Sequence, residues 1–436
     1  MQLLLFAALI GPAPVSGVFQ GEPSTPQDDR LDALEARLRA VEGDNAKLQD
    51  ELEAAMDVLA EAEVAGAPGG EPDSELQAAW LRIAARNLAP RAANVYSADG
   101  LSFGGYGEFL LEERRDQDGD NFDALRWVMY FGSRFSDRWI FNSEIEIEHG
   151  TTGSNSATTD SSGSVSIEFA YIDHLLTDSI ALRGGTVLVP LGFINERHEP
   201  TTFLPAARPE TERRIIPSTW RANGLGGYGQ VGPLAWTGYA LNGLNGEEFD
   251  ARGLRGGRQK GNRASTEHVA VAARLDYVDT PGLVVGASCF HGKSGVGIPE
   301  DLKTTIVDVH AEWNQGPWLL RGLWAQAMVD ETAEFNARTG ENLAERLDGW
   351  YLEAGFDLLS LTDSVPNQTL DLFVRYEEID TQASLAGGLA PGAGIDDTFT
   401  TFGLNYRPLD QIVLKADYTT LDEGDDVARF LIGYAF

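Results

Sequence analysis

The sequence predicts an all-β fold, a transmembrane antiparallel β-barrel of about sixteen strands preceded by an N-terminal α-helical coiled coil. Three observations predict it. The chain ends in Arg429-Phe430-Leu431-Ile432-Gly433-Tyr434-Ala435-Phe436, an alternating strand that stops on an aromatic. A soluble domain would have to cover both its apolar face and its edge, which lipid and barrel closure do here. From Leu101 onward the hydrophobic pattern has period two. The connections between the alternating segments fall into two classes, short turns and long polar loops, as in barrels with short periplasmic turns and longer outer loops.

Composition narrows the partners. Over 436 residues the formal net charge is -34, which argues against nucleic acid and anionic lipid. No run approaches the ~20 apolar residues of a spanning helix, so spanning rests on strands. The lone cysteine, Cys289, excludes an internal disulfide framework and a thiolate-rich metal site. The histidines show no metal-ligand spacing. Neither a metal nor a cofactor is expected.

Residues 1–17 read as an export signal: Leu3 to Ile10 is a short apolar run, and Val15-Ser16-Gly17 suits cleavage, although Met1-Gln2 lacks the usual positive charge. Residues 18–30 form a linker. In residues 31–64, Leu31, Leu34, Leu38, Val41, Asn45, Leu48, Leu52, Ala55 and Leu59 advance by threes and fours, the seam of a coiled coil. Asn45 falls at an a position, where a buried amide selects register and oligomer state. The segment predicts a homo-oligomer, with a single amphipathic helix packed on its own chain as the alternative. Residues 65–100 are a linker with a short helix. Gly66-Ala67-Pro68-Gly69-Gly70 breaks the coil, Ser74-Glu75-Leu76-Gln77 resembles a capping box, and Pro90 closes the helix. The helix serves as tether or small plug.

Residues 101–436 are the barrel. From Trp139 to Glu148 one face carries Trp139, Phe141, Ile145 and Ile147, and the other Asn142, Glu144, Glu146 and Glu148; these read as lipid and lumen faces. Similar alternation places Asp308, Glu312, Glu353 and Asp357 inward, beside Arg126, Arg274, Arg375 and Lys415. Trp127, Trp139, Trp236, Trp318, Tyr406 and Tyr418 fit interfacial girdles. Phe430, Tyr434 and Phe436 are the expected assembly signal. Short turns are predicted at residues 136–138, 177–178, 232–233, 280–282, 315–317 and 408–410, a longer one at 360–367, and long loops at 150–164, 245–266 and 330–347.

The even strand count, the terminal Phe436 and the long third outer loop resemble a general bacterial porin. With the heptad helix added, the chain is similar to members of the phosphate-selective porin O and P family, over Leu101 to Phe436 in architecture and more loosely over the helix. The resemblance implies a trimeric channel in the cell outer membrane, sixteen-stranded, in contact with outer-membrane lipid, its coiled coil in the periplasm and its third outer loop folded inward. It also implies an inward ladder of arginine and lysine, and thus anion or phosphate transport. The wall here departs from that, mixing acids with bases.

The third outer loop is residues 190–221. Its candidate constriction residues are Glu196, Arg197, His198, Arg208, Glu210, Glu212, Arg213, Arg214 and Arg221, stiffened by Pro200, Pro205, Pro209 and Pro217. Guanidinium groups in a narrow eyelet bind anions bidentately. The same charges also serve as structural salt bridges pinning loop to wall, and both roles are compatible. The leading function is passive diffusion of small hydrophilic solutes or ions. The alternatives are a tether from outer membrane to cell wall through the coiled coil, with the barrel as anchor, and a barrel-embedded enzyme. No catalytic residue is assigned, since His placement gives no clear triad.

Overall fold

The computed structural model describes residues 100–115, 120–152, 163–362, 368–392, 394–422 and 424–436. The expected signal peptide, coiled coil and linker helix lie outside the described residues. Sixteen strands follow in chain order: β1 (Leu101–Arg114), β2 (Asn121–Arg134), β3 (Trp139–Glu148), β4 (Ser164–Leu175), β5 (Ile180–Leu188), β6 (Arg221–Val231), β7 (Leu234–Asn242) and β8 (Val269–Tyr277). The second half comprises β9 (Leu283–Lys293), β10 (Lys303–Gln315), β11 (Trp318–Val329), β12 (Arg346–Asp357), β13 (Thr369–Ser384), β14 (Asp396–Leu409), β15 (Ile412–Leu421) and β16 (Val427–Ala435). Each strand pairs antiparallel with the next, and β16 returns to β1, closing the barrel.

Closure uses the last residue. The Phe436 N–H donates to the Gly105 carbonyl at 2.9 Å and the Gly105 N–H to the Phe436 carbonyl at 3.0 Å, so no strand edge is left unpaired at the seam. The rings of Phe430 and Phe436 are exposed on the outer face, where Phe436 lies 5.7 Å from Phe103 and 6.3 Å from Tyr434. Period-two patterning decides which side each residue faces. In β3 the glutamates 144 and 146 are buried inside, while Trp139 is exposed outside. One irregularity matters later: β4 skips Glu168 in its pairing with β3, a bulge that turns both Glu168 and Phe169 inward.

Turn chemistry sorts the two ends. Gly232 and Gly316 each open a two-residue hairpin turn at φ 58°, a left-handed conformation that glycine adopts without steric cost. The opposite end carries the long connections, including 243–268, and 330–345 with its helix α1 (Thr332–Thr339). The longest runs from 189 to 220, so Arg221, expected at the end of this loop, is the first residue of β6.

The inner side of the barrel is not uniformly polar. Tyr106, Tyr130, Phe169, Phe193, Ile215, Trp220, Phe290 and Tyr351 belong to one buried apolar cluster, made where the 189–220 loop meets the wall. The rings of Trp220 and Phe290 stand 4.6 Å apart at 61°, an edge-to-face geometry that suits opposed ring quadrupoles.

Candidate functional site

The 189–220 loop lies inside the barrel and touches strands on every side of it. Asn195 closes its base: Nδ2 donates to the carbonyls of Val189 at 2.6 Å and Trp220 at 2.9 Å, and Oδ1 accepts the Trp220 N–H at 2.5 Å. Glu212, in the short helical turn Thr211–Ile215, accepts the N–H groups of Phe193 at 2.8 Å and Ile194 at 2.7 Å and the Tyr351 hydroxyl at 2.7 Å. The two limbs of the loop are thereby tied to each other and to β12.

Wall residues then anchor the loop along its length. On β10, Asp308 accepts the Gly192 N–H at 3.1 Å, and Arg274 of β8 donates to the Gly192 carbonyl. Arg274 also pairs with Asp276 at 2.6 Å and reaches Glu196 at 3.8 Å. Glu312 of β10 faces Arg197 at 3.6 Å and Arg321 at 2.6 Å. His198 is buried with Nε2 3.7 Å from Glu144, and Tyr130 donates to Glu199 at 3.2 Å. At the far wall, Lys415 Nζ donates to the carbonyls of Phe203 and Pro205 at 2.8 Å each. Asp417 accepts the Ala206 N–H at 2.5 Å, Arg375 donates to the Ala207 carbonyl at 3.2 Å, and Glu377 accepts the Thr211 N–H.

The wall residues expected inside the barrel therefore divide by task. Glu144, Arg274, Asp308, Glu312, Arg375 and Lys415 hold the loop. Arg126 joins Glu108 at 2.6 Å and Glu146 at 3.6 Å, and Glu148 accepts from Ser164 at 2.8 Å. Arg221 of β6 pairs with the bulged Glu168 at 2.8 Å. Arg213 and Arg214 both meet Glu210, at 2.5 and 3.1 Å. Burial alone would raise the Glu210 carboxyl, but these two guanidinium groups outweigh it and hold it below its ordinary value. Arg208 bonds only weakly, to Thr219 at 3.4 Å and the His198 carbonyl at 3.5 Å.

Two cavities flank the loop on the side of the long connections. One, of about 400 Å³, brings Arg208, Arg213 and Arg214 of the loop to Arg114, Arg375 and Arg429 of the wall, with Glu210, Glu377, Asp396 and Asp397. Six guanidinium groups face four carboxylates there, the reverse of the chain's overall balance. The other, of about 630 Å³, lies between the 243–268 connection and the wall of β3, β4 and β5, meets the 189–220 connection at Thr219, and includes Arg221, Arg255, Arg258 and Lys260.

Sequence reasoning missed several of these. Arg114 and Arg429 come together only through closure of β1 on β16, and Glu168 turns inward only through a bulge. The cations of the 243–268 loop did leave a signal: Arg252, Arg255, Arg258, Lys260 and Arg263 recur every two or three residues in an acidic chain.

No protein-family model matches the chain. Among solved structures, a loop-deleted form of OmpT, an outer membrane protein of Vibrio cholerae, superposes with a TM-score of 0.51 at 11% identity, over 77% of this chain and 99% of that one. Salmonella typhi OmpF, solved in complex with daunomycin, gives a TM-score of 0.51 at 15% identity, over 77% and 97%. At such identities the likeness is one of fold: the protein has the closed sixteen-strand barrel of these outer-membrane proteins. A protein of Aquifex aeolicus (strain VF5), described as an uncharacterized protein, is 35% identical over 371 residues, covering 80% of this chain and 83% of the relative. At that identity and coverage, the chain belongs to the same family as the Aquifex aeolicus protein.

Proposed function

We propose that this protein is an outer-membrane diffusion channel for small hydrophilic solutes, with the 189–220 loop as its constriction. The observation that carries the proposal is the loop's path: rooted between β5 and β6, it is bonded through Phe203 and Pro205 to Lys415 on β15. A sixteen-strand barrel is wide enough to leave an aqueous lumen, and a loop fixed across that lumen narrows it to what remains beside the loop. The arginine-rich cavity of about 400 Å³ is the mouth of this passage. Solutes entering it meet Arg208, Arg213 and Arg214 against Arg375 and Arg429, a surface suited to carboxylate or phosphate groups. The acidic wall residues Glu144, Glu146, Asp308, Glu312 and Glu353 are largely engaged with loop or wall cations, so they set local structure more than selectivity. Phe430, Tyr434 and Phe436 serve as the assembly signal, and the coiled coil of residues 31–64 gathers a homo-oligomer, a trimer, on the periplasmic side.

The test is solute-driven swelling of liposomes containing the purified protein. Swelling rates that fall with solute size support a constricted channel; folded protein that admits no solute at any size contradicts it.

A further inference from the structure

The inner wall changes character with depth along β8 to β12. Nearer the short turns it is charged, with Arg274, Asp308, His310, Glu312, Arg321 and Glu353. Toward the long connections the inward positions are Ala270, Ala272, Phe290, Ile306, Ala325 and Ala327, all buried in the same apolar cluster. Thr304, among them, spends its hydroxyl on Ser294 at 2.8 Å. Loops cover this stretch: Leu244, Phe249 and Leu254 of the 243–268 connection, Leu302 of 294–302, and Phe335 and Leu343 of 330–345, each of them buried. A lining without polar partners holds no ordered water, so this sector is dry where the wall of a channel would be wet.

The loops are also fastened to one another. Arg338 of α1 donates to Glu300 at 2.8 Å and to Glu247 at 3.1 Å, joining three connections through one guanidinium, and lies 5.4 Å from the centre of the Phe335 ring. The Gly246 N–H donates to the Ser294 carbonyl at 2.6 Å, and Glu331 accepts the Asp301 N–H at 2.9 Å. Beneath them, Arg255 donates to the Arg213 carbonyl at 3.5 Å and Arg258 to the Thr219 carbonyl at 2.5 Å, which seats the 243–268 loop on the 189–220 loop. The far edge is marked by Thr381 of β13, whose hydroxyl donates to the Ala251 carbonyl at 2.9 Å. Past that edge the wall turns polar, and Arg375, Thr401, Thr419, Arg429 and Arg114 line the 400 Å³ cavity. The 630 Å³ cavity on the other side includes Val165 and Ile167, exposed on the outer face, and so opens sideways at the rim.

We propose that the 243–268, 294–302 and 330–345 connections form a fixed roof, packed dry onto the inward faces of β8 to β12, and that solutes enter the barrel only through the uncovered sector beside β13 to β16 and β1. The inference rests on the channel reading and gives it an entrance. Size selection then begins at the edge of the roof, ahead of the 189–220 loop.

The experiment is chemical modification of the full-length protein, in a Cys289→Ser background with one new cysteine, by a charged methanethiosulfonate that does not enter apolar packing. Labelling is read by mass and its effect by current in a planar bilayer. Leu421→Cys lines the uncovered cavity and is expected to be labelled quickly and to lose current. Ala327→Cys, a small change under the roof, is expected to react about tenfold more slowly or less, through local opening alone, and to keep its current. Phe335→Ala removes a ring from the roof's core and is expected to make Ala327→Cys reactive and to raise the solute size cutoff; should it fail to fold, Arg338→Ala loosens the roof from its exposed side instead. Labelling of Ala327→Cys as fast as Leu421→Cys beneath the intact roof overturns the proposal. So does current through proteins in which neither is labelled, since entry would then lie elsewhere, and so does an Ala327→Cys that stays unlabelled in both opening variants. Protection of Ala327→Cys beside labelled Leu421→Cys, without any current, upholds the roof and sinks the channel reading alone; current with both labelled does the opposite.

Discussion

Lys415 and Phe203 stand on different parts of the molecule and meet inside the barrel: the Lys415 ammonium donates to the Phe203 carbonyl at 2.8 Å and sits 3.8 Å from the centre of its ring. The lysine is fully buried. Its charge is solvated by two loop carbonyls and an aromatic face instead of water. Replacing it by Met keeps the volume but leaves the Pro205 carbonyl without this donor and weakens the hold on Phe203. Lys415→Met is expected to cost about 1–3 kcal/mol of loop docking and to raise single-channel conductance by freeing the tip. Unchanged conductance with unchanged solute cutoff would remove Lys415 from the anchor.

Glu212 holds the loop from within. Its carboxylate accepts two N–H groups and a tyrosine hydroxyl, and burying those N–H groups unpaired costs about 1–3 kcal/mol each. Glu212→Leu is therefore expected to open the loop to trypsin at Arg213 and Arg214. Glu212→Gln should stay resistant, because the amide oxygen still accepts and the Tyr351 hydroxyl can take the amide N–H. Equal cleavage of both variants would assign the loop's order to other contacts.

Arg213 and Arg214 share one acid, Glu210. Neutralising both arginines is expected to move the reversal potential in a salt gradient toward cations, and Glu210→Gln to move it toward anions. A reversal potential indifferent to the two arginines would remove them from the passage.

The same acid gives a pH test. The Glu210 carboxyl is held below its ordinary 4.5, so its charge, and the ion pairs that depend on it, are fully present above that value and lost as pH falls through the lowered one. Acidification below about 4.5 should therefore favour anions, and Glu210→Gln should blunt that shift. An equal acid response in the variant would place the titrating group elsewhere.

Deleting residues 28–64 should leave conductance per channel intact while loosening the oligomer, read by crosslinking or native mass. Failure of the barrel to assemble would give the segment a role in biogenesis instead.

Much of the fold was legible because period-two patterning and turn chemistry are local. The Trp139 to Glu148 alternation fixed both faces of β3, and Gly232-Pro233 marked its turn to the residue. Which side chains meet inside the barrel was not legible, because that depends on where one long loop lands. Nothing in the spacing of Lys415 points to Phe203, 212 residues away in the chain. An acid count likewise misleads. Glu312 and Asp308 were both read as acids of the inner wall, yet one faces arginines and the other a loop N–H. The apolar inner cluster around Trp220 and Phe290 was hidden for the same reason, since inward aromatics make sense only once the loop covers them.

The central claim is that a closed barrel with a loop fixed across it conducts. Single-channel recording of the purified protein in a planar bilayer, with the reversal potential taken across a salt gradient, tests it most directly. Stepwise, stable openings with an anion-favouring potential are predicted. Silence from correctly folded oligomers would contradict the account and leave the barrel as an anchor.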